Sequence, residues 1–357
     1  MRYFCEFLHQ NNFHIYLVYE QGGDYTQFPK RQIYEDVKLI SLQPIGTRSL
    51  RSWIHSTLLL YRYCRANKVE LIFTHVIHGF PMIRIVKTLL RIKVCVYFKW
   101  IYSRPDIGQF ARWGLKNVDR SLAVSNYVKE YWKLLGAKFP NSLPVIPDGI
   151  SNIPPRNDST DLIKIKEDNN NKSKILFAGR IYKGKGLHLL IQSMSLLDFR
   201  VELYVAGFFS TDETHPEIQY HLSIKEMIKE LELSKQVHFL GFVDDLSTLM
   251  IEMDLVVVPS ILPDAQPLVI LEAMRSRTLV IGSTEGGIPE ILSEQLSFLT
   301  FSANAEALCQ KIKAISDLST TEKATYQREL HTKFHNVYSN KRTYPLLMDH
   351  LTATIYE

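Results

Sequence analysis

Short apolar runs alternate with amphipathic stretches along nearly the whole chain. Runs rich in β-branched and aromatic residues, bounded by polar or turn residues, predict strands; apolar positions at helical spacing predict helices. In the first half the strands are expected at His14–Glu20, Val37–Leu42, Glu70–Thr74, Lys93–Phe98, Arg120–Val124 and Leu143–Ile146. Helices are expected between them, at about Ser49–Asn67, Phe80–Arg91, Ile107–Asn117 and Asn126–Leu135. The stretch Ser151–Ser173 breaks the pattern. It holds Pro154-Pro155 and the polar run Glu167-Asp-Asn-Asn-Asn-Lys, a composition that predicts a linker. A second alternation follows, with strands at Lys174–Ala178, Arg200–Ala206, Val237–Leu240, Leu255–Pro259 and Thr278–Ile281, and a helical end of about forty residues. The expectation is an α/β protein with parallel sheets in two Rossmann-like domains, 1–150 and 174–335, joined by a linker at 151–173. A C-terminal helix, 336–357, is expected to return to the first domain. Ligands of such sheets sit at the carboxyl ends of the strands, here in a cleft between the domains.

The length of 357 residues suits two domains, and 46% hydrophobic with 22% charged residues suits a globular chain. Cys5, Cys64, Cys95 and Cys309 are scattered without metal-ligand spacing, as in a reducing cytosol. No run approaches the roughly 18 apolar residues of a membrane span, and the N-terminus lacks a signal-peptide pattern. The expected location is therefore cytoplasmic. The net charge of +5 hides an asymmetry. Residues 1–150 hold 21 Lys and Arg against 10 Asp and Glu; the remainder holds 21 against 27. A first half at +11 beside a second at −6 points the first half toward something anionic. Nucleic acid and an anionic membrane both qualify, and no nucleic-acid module is recognisable. Ser49–Lys68 is basic and amphipathic, with Trp53, Leu58, Leu59 and Tyr63 beside Arg51, Arg62, Arg65 and Lys68. It reads first as a core-packed helix with a solvated face, and alternatively as a membrane-surface helix. Arg84, Lys87, Arg91 and Lys93 would extend its basic surface.

Candidate chemistry concentrates in Phe177–Leu190. An apolar run ends in Gly179, then Arg180, Lys183, Gly184, Lys185 and Gly186 precede an apolar helix. Glycines let backbone approach a phosphate, helix-start N–H groups point at it, and cations neutralise it. The segment reads either as an anion site or as a βα turn with solvated cations. Gly179-x-x-x-x-Gly184-Lys185 has P-loop spacing, but Gly186 stands where Ser or Thr would hold magnesium. That points away from an NTPase and toward a diphosphate held without an obligatory metal. Downstream, Asp264 lies in the loop after Val256-Val-Val-Pro-Ser260, and Glu272 lies in the helix that starts near Leu268. Carboxylates so placed suit the hydroxyls of a sugar or ribose; the plain alternative is an N-cap-like Asp and a solvated Glu. No Gly-x-Gly-x-x-Gly follows an early strand, which disfavours a Rossmann dehydrogenase.

Taken together, these motifs resemble a glycosyltransferase of the GT-B fold, in the large retaining family 4. Gly179-Arg180…Lys185-Gly186 is similar to that family's donor-diphosphate loop, and Asp264-x(7)-Glu272-Ala-Met to its E-x(7)-E motif. Gly286-Gly287-Ile288-Pro289-Glu290 and Val145-Ile-Pro-Asp148-Gly149-Ile150 resemble two further family segments, as do Ala123-Val-Ser125 and Phe239-Leu-Gly241-Phe242.

The resemblance implies a nucleotide-sugar donor held by the second domain, with no cofactor. Arg180 and Lys185 would stabilise the leaving diphosphate. Asp264 would meet the donor sugar and Glu272 the ribose. Gly179, Gly241, Phe242, Gly287 and the N–H groups of Leu268 and Val269 would complete the donor site. The acceptor would be a glycan or a polyprenyl-diphosphate-linked glycan of bacterial surface polysaccharide synthesis, with His75 and Lys99 on its side. No nucleic-acid partner is implied, and the basic half could rest on the inner face of the cytoplasmic membrane. The alternative is an impaired nucleotide-sugar-binding partner subunit. The chain departs from the family in having Asp264 for Glu and Ala265-Gln-Pro267 for Gly-Phe-Gly, where Pro267 lacks an N–H. Met1–Asn11 already resembles the first family helix, so the strand and Gly-rich loop that ordinarily precede it are expected upstream of this start.

Overall fold

The computed structural model describes residues 7, 8, 10–14, 16–20, 38–42, 50–75, 79–101, 113, 115–135, 143–152, 173–207, 216–243 and 245–356. The chain divides into two compact units, Met1–Pro147 with Thr343–Glu357, and Asp148–Arg342. The linker expected at 151–173 lies mostly outside the described residues, as does most of the helix expected at Ile107–Asn117.

In the first unit, β1 (Tyr16–Glu20) pairs in parallel with β2 (Lys38–Leu42). A second parallel sheet has the order β3 (Leu71–Thr74), β4 (Lys93–Phe98), β5 (Arg120–Ala123). The middle strand β4 is buried from Val94 to Phe98, as an apolar run covered on both faces should be. Helix α1 (Leu50–Ala66) packs on α2 (Phe80–Leu90). Helix α3 (Asn126–Leu134) starts at Ser125, whose Oγ accepts the Val128 N–H at 3.3 Å. Its buried Trp132 meets the Phe98 ring at 4.4 Å. The returning segment Thr343–Glu357 is tied in by Arg120 and His350 at 3.2 Å and by the Phe7 and Tyr344 rings at 5.4 Å.

Leu143–Ile146 is not a strand. It makes one isolated parallel bridge, Ala123 with Val145, because Pro144 has no N–H to extend the ladder. Lys87, expected to add to a basic surface, is instead paired with Asp119 at 2.5 Å.

The second unit is built on one six-stranded parallel sheet. Its strands are β6 (Ser173–Ala178), β7 (Val201–Ala206), β8 (Val237–Gly241), β9 (Leu255–Val258), β10 (Val280–Ser283) and β11 (Thr300–Phe301). Their spatial order is β11-β10-β9-β6-β7-β8. Its described helices are α4 (Leu187–Ser195), α5 (Pro216–Glu230), α6 (Leu246–Ile251), α7 (Leu268–Arg275), α8 (Ile288–Ile291), α9 (Ala305–Ser316) and α10 (Thr320–Lys333). A π-helical turn at Phe334–Tyr338 then leads to α11 (Asn340–Tyr356), within which the chain re-enters the first unit. The core gathers apolar residues from every strand, including all of β9. The order of connection reverses between β6 and β9, so the chain leaves these neighbours in opposite directions. A crevice opens at their carboxyl ends, where ligands of such sheets bind. The sequence motifs fall there.

Candidate functional site

Gly179 ends β6 with φ +143°, and its N–H reaches the Ala206 carbonyl at 2.9 Å. Arg180 points outward, Ile181 is fully buried as an anchor, and Lys183–Lys185 form one 3₁₀ turn. Gly186 then turns the chain at φ +73° into α4. A Cβ at Gly186 would lie 1.8 Å from the Pro259 carbonyl oxygen, so only glycine fits. The Ile261 and Leu262 N–H groups reach the Gly184 carbonyl at 2.9 and 3.2 Å. The loops after β6 and β9, the strands that flank the reversal, are thus laced together.

The next loop, after β10, supports the β9 loop from another side. The Gly287 N–H donates to the Asp264 carbonyl at 2.7 Å. Gly286 sits at φ +64°, and a Cβ there would lie 2.3 Å from the same oxygen; one at Gly287 would lie 2.2 Å from the Ala265 oxygen. Within the β9 loop, Asp264 Oδ1 accepts the Gln266 N–H at 3.2 Å. Gln266 in turn grips one residue of backbone with both ends of its amide. It accepts the Asp148 N–H at 2.9 Å and donates to the Asp148 carbonyl at 3.0 Å.

Lys185 Nζ and Asp264 Oδ2 form a direct ion pair, both half-buried. The sequence assigned them to different parts of a ligand; the fold puts them on each other. Arg180 is held elsewhere, its Nε 3.2 Å from Glu217 Oε1 and its Cζ 4.5 Å from the Tyr182 ring centroid. Glu272 lies in the second turn of α7, where burial pushes its carboxyl up to about 7 against the pull of Arg275. Arg275 donates to the Ser151 carbonyl at 3.1 Å and to Ser247 Oγ. Helix α7 is preceded by Pro267 and has no side-chain cap, leaving the N–H groups of Leu268 and Val269 open for an anion. Gly241 ends β8 at φ +69°, its carbonyl accepting the Gly207 N–H at 2.8 Å, and Phe242 beside it is exposed. His188 at the α4 start takes Tyr220 Oη at 2.8 Å, and burial lowers its pKa.

Two sequence candidates lie in the first unit, His75 just after β3 and Lys99 just after β4. Lys99 Nζ stands 4.7 Å over the Tyr97 ring. Among the described residues no group of three or more His, Cys, Asp and Glu is arranged to hold a metal ion.

Glu217, Gln266 and Arg275 were missed as site residues. Gln266 stood inside a recognised motif but gave no sign of its backbone partner. Glu217, the one acid of the α5 first turn, carried no sequence signal linking it to Arg180.

Residues 158–331, most of them in the second unit, are similar to the family described as "Glycosyl transferases group 1". The phosphatidylinositol N-acetylglucosaminyltransferase GPI3 subunit of Saccharomyces cerevisiae (strain YJM789) is 29% identical over 203 residues, 55% of this chain and 42% of that protein. An uncharacterized glycosyltransferase of Methanocaldococcus jannaschii is 33% identical over 127 residues, 34% of this chain and 30% of that protein. The chain thus spans less than half the length of these relatives. Among solved structures, a glycosyltransferase from Rickettsia africae ESF-5 aligns with a TM-score of 0.79 and 19% identity, over 99% of this chain and 93% of that one. Anabaena HepE, solved in complex with UDP-glucose, aligns with a TM-score of 0.74 and 20% identity, over 89% and 86%. These likenesses establish the fold as α/β of the GT-B type, with parallel Rossmann-like sheets.

Proposed function

We propose that the chain transfers a sugar from a nucleoside-diphosphate sugar to a glycan or lipid-linked glycan, with retention of configuration. The observation that carries this reading is the laced loop pair at the sheet reversal. It gathers a glycine turn, a cation at Lys185 and a carboxylate at Asp264, with Arg180 on the same β6 loop. The uncapped start of α7 follows directly in sequence. Arg180 and Lys185 take the charge that grows on the leaving diphosphate, an interaction strongest in the transition state. With two cations in that role the reading assigns no metal. Asp264 meets the sugar hydroxyls and Glu272 the ribose. His75 and Lys99 belong to the acceptor side. Same-face attack through an oxocarbenium-like state needs no protein nucleophile.

Bacterial surface polysaccharide synthesis on a membrane-bound carrier is the setting this reading favours. Its supports are the basic first half and an exposed apolar and basic face on α1. A second reading, a nucleotide-sugar-binding partner subunit without turnover, draws on the yeast relative, which is named as a subunit, and on Lys185 being neutralised by Asp264.

Thermal melting against UDP-, GDP-, ADP- and dTDP-sugars, with and without EDTA, tests the site. Ligand at ~100 times Kd adds about 2.7 kcal/mol, a rise of about 5 °C or more for one nucleotide class. The Arg180→Ala/Lys185→Ala variant should lose that rise; an undiminished rise would overturn the site. Release of nucleoside diphosphate in the presence of membrane lipid extract separates the enzyme from the binding subunit, which would bind without release.

A further inference from the structure

We propose that Glu217 is the positioning residue of the diphosphate site, holding Arg180 with its phosphate-binding edge open; the inference rests on the nucleotide-sugar reading above.

Arg180 needs such a support. It follows Gly179, whose would-be Cβ meets nothing within 4 Å, and its side chain is 59% exposed. A long cation there would otherwise spread over many rotamers, and ordering it on ligand binding would lower affinity. Two neighbours already order it. The Tyr182 ring centroid lies 4.5 Å from Cζ, a cation–π contact that holds the guanidinium over the ring. Glu217 Oε1, 3.2 Å from Nε, fixes its rotation there.

Which nitrogen is held decides the chemistry. A guanidinium offers two hydrogen-bonding edges, each able to take two oxygens of a phosphate, and with a carboxylate beside Nε the terminal pair is the edge left for one. Glu217 approaches at Nε, and among the described residues neither terminal nitrogen donates a hydrogen bond. The carboxylate therefore orients the cation without occupying the edge a phosphate needs. Lys185 contrasts with it, because an ammonium is a point charge and Asp264 sits directly on it. Glu217 is itself held firmly. It stands in the first turn of α5, where the helix dipole favours an anion, and its side chain is only 16% exposed. Arg180 and Glu217 come from β6 and α5, so the pair also fixes the β6 loop relative to that helix.

Two effects of Glu217 oppose each other. Its charge partly cancels that of Arg180 and repels a phosphate, while its grip removes the disorder that binding must otherwise suppress. The pair is exposed on the arginine side, so solvent and salt screen the repulsion. The grip acts at 3.2 Å, a shorter range than the repulsion of a phosphate on the far edge of the guanidinium, and is screened less. Orientation therefore dominates, and its sign is measurable.

The test is binding of inorganic pyrophosphate and of UDP, GDP, ADP and dTDP to the full chain by calorimetry. Glu217→Ala should weaken the selected diphosphate about three- to tenfold, the scale of releasing one rotamer-rich side chain. Glu217→Gln keeps an oxygen beside Nε and loses the charge, and should lie between wild type and Glu217→Ala. In the Arg180→Ala background, Glu217→Ala should change nothing further. The Nε–Hε resonance of Arg180, assigned with Arg180→Lys, should be ordered without ligand and lose that order in Glu217→Ala. Tighter binding in Glu217→Ala would make Glu217 a competing counter-ion and overturn the proposal. Equal weakening in the Arg180→Ala background would overturn it too, by reducing Glu217 to a prop for α5. A wild-type chain that binds neither pyrophosphate nor any nucleoside diphosphate would overturn the nucleotide-sugar reading itself, and this inference with it.

Discussion

Lys185 and Asp264, 79 residues apart in sequence, neutralise each other. On the proposed function a diphosphate reaching Lys185 would displace the carboxylate, so binding would be an exchange of one anion for another rather than capture by a bare cation. The exchange has a second effect. It would free Asp264 to turn to the sugar of the proposed donor, while the Gly287 N–H keeps its backbone in place. Asp264→Asn separates the two roles, because Asn retains an oxygen for the Gln266 N–H and loses the charge. Nucleoside diphosphate should bind several-fold tighter in calorimetry, while sugar transfer should fall by roughly 10²-fold, the scale of one lost transition-state contact. Weaker nucleotide binding at an unchanged melting temperature would sink the exchange. The residue types of this site were legible from the sequence, and their ion pair was not. Composition and spacing reveal which groups can meet an anion, but which of them neutralises another depends on how the β6 and β9 loops close in space.

At the level of elements, the site depends on two loops that fit only through glycine. Gly186 combines φ +73° with a Cβ position 1.8 Å from a backbone oxygen, and neither Pro259 nor the buried β9 behind it has room to retreat. Gly186→Ala should cost about 1–3 kcal/mol of backbone strain and separate the loops. The expected result is a lower melting temperature together with loss of pyrophosphate binding; wild-type values of both would show the loops to be independent. The strands that carry these loops were readable because a parallel strand buried on both faces is an uninterrupted apolar run, as in Leu255–Val258. β11 escaped notice because two residues, Thr300 and Phe301, make no pattern. Leu143–Ile146 was overread because its apolar residues suited a strand while Pro144 withheld a ladder hydrogen bond. The Gln266 clamp on Asp148 was hidden for a different reason. Its value lies in which backbone groups a distant loop leaves unpaired, and no local pattern records that.

On the scale of the whole molecule, charge and exposed apolar surface coincide in the first unit. Among the described residues no helix is long and apolar enough to cross a membrane. Helix α1 nevertheless presents Leu50, Ile54 and Leu58, which are 70%, 45% and 51% exposed and spaced by four residues on one side. Its buried Ser56, Thr57, Leu60 and Cys64 lie on the adjoining face. The exposed Arg51, Arg62 and Arg65 flank the apolar stripe, and the helix contains no acidic residue. Apolar side chains beside cations, with no acid to repel a phosphate headgroup, match the chemistry of an anionic lipid surface. Such a surface would present a lipid-linked acceptor, which joins this face to the transfer reaction proposed above. Vesicle sedimentation decides the matter. The chain should pellet with vesicles containing phosphatidylglycerol, less so at high salt, and remain in solution with phosphatidylcholine alone. Arg51→Gln/Arg62→Gln should weaken binding by about fivefold for each cation removed, the equivalent of about 1 kcal/mol apiece. Ile54→Ser/Leu58→Ser should weaken it at every salt concentration, because the apolar contribution is not screened. Equal binding to neutral vesicles, or a change in oligomeric state rather than in sedimentation for the Ile54 and Leu58 variant, would assign the stripe to another partner.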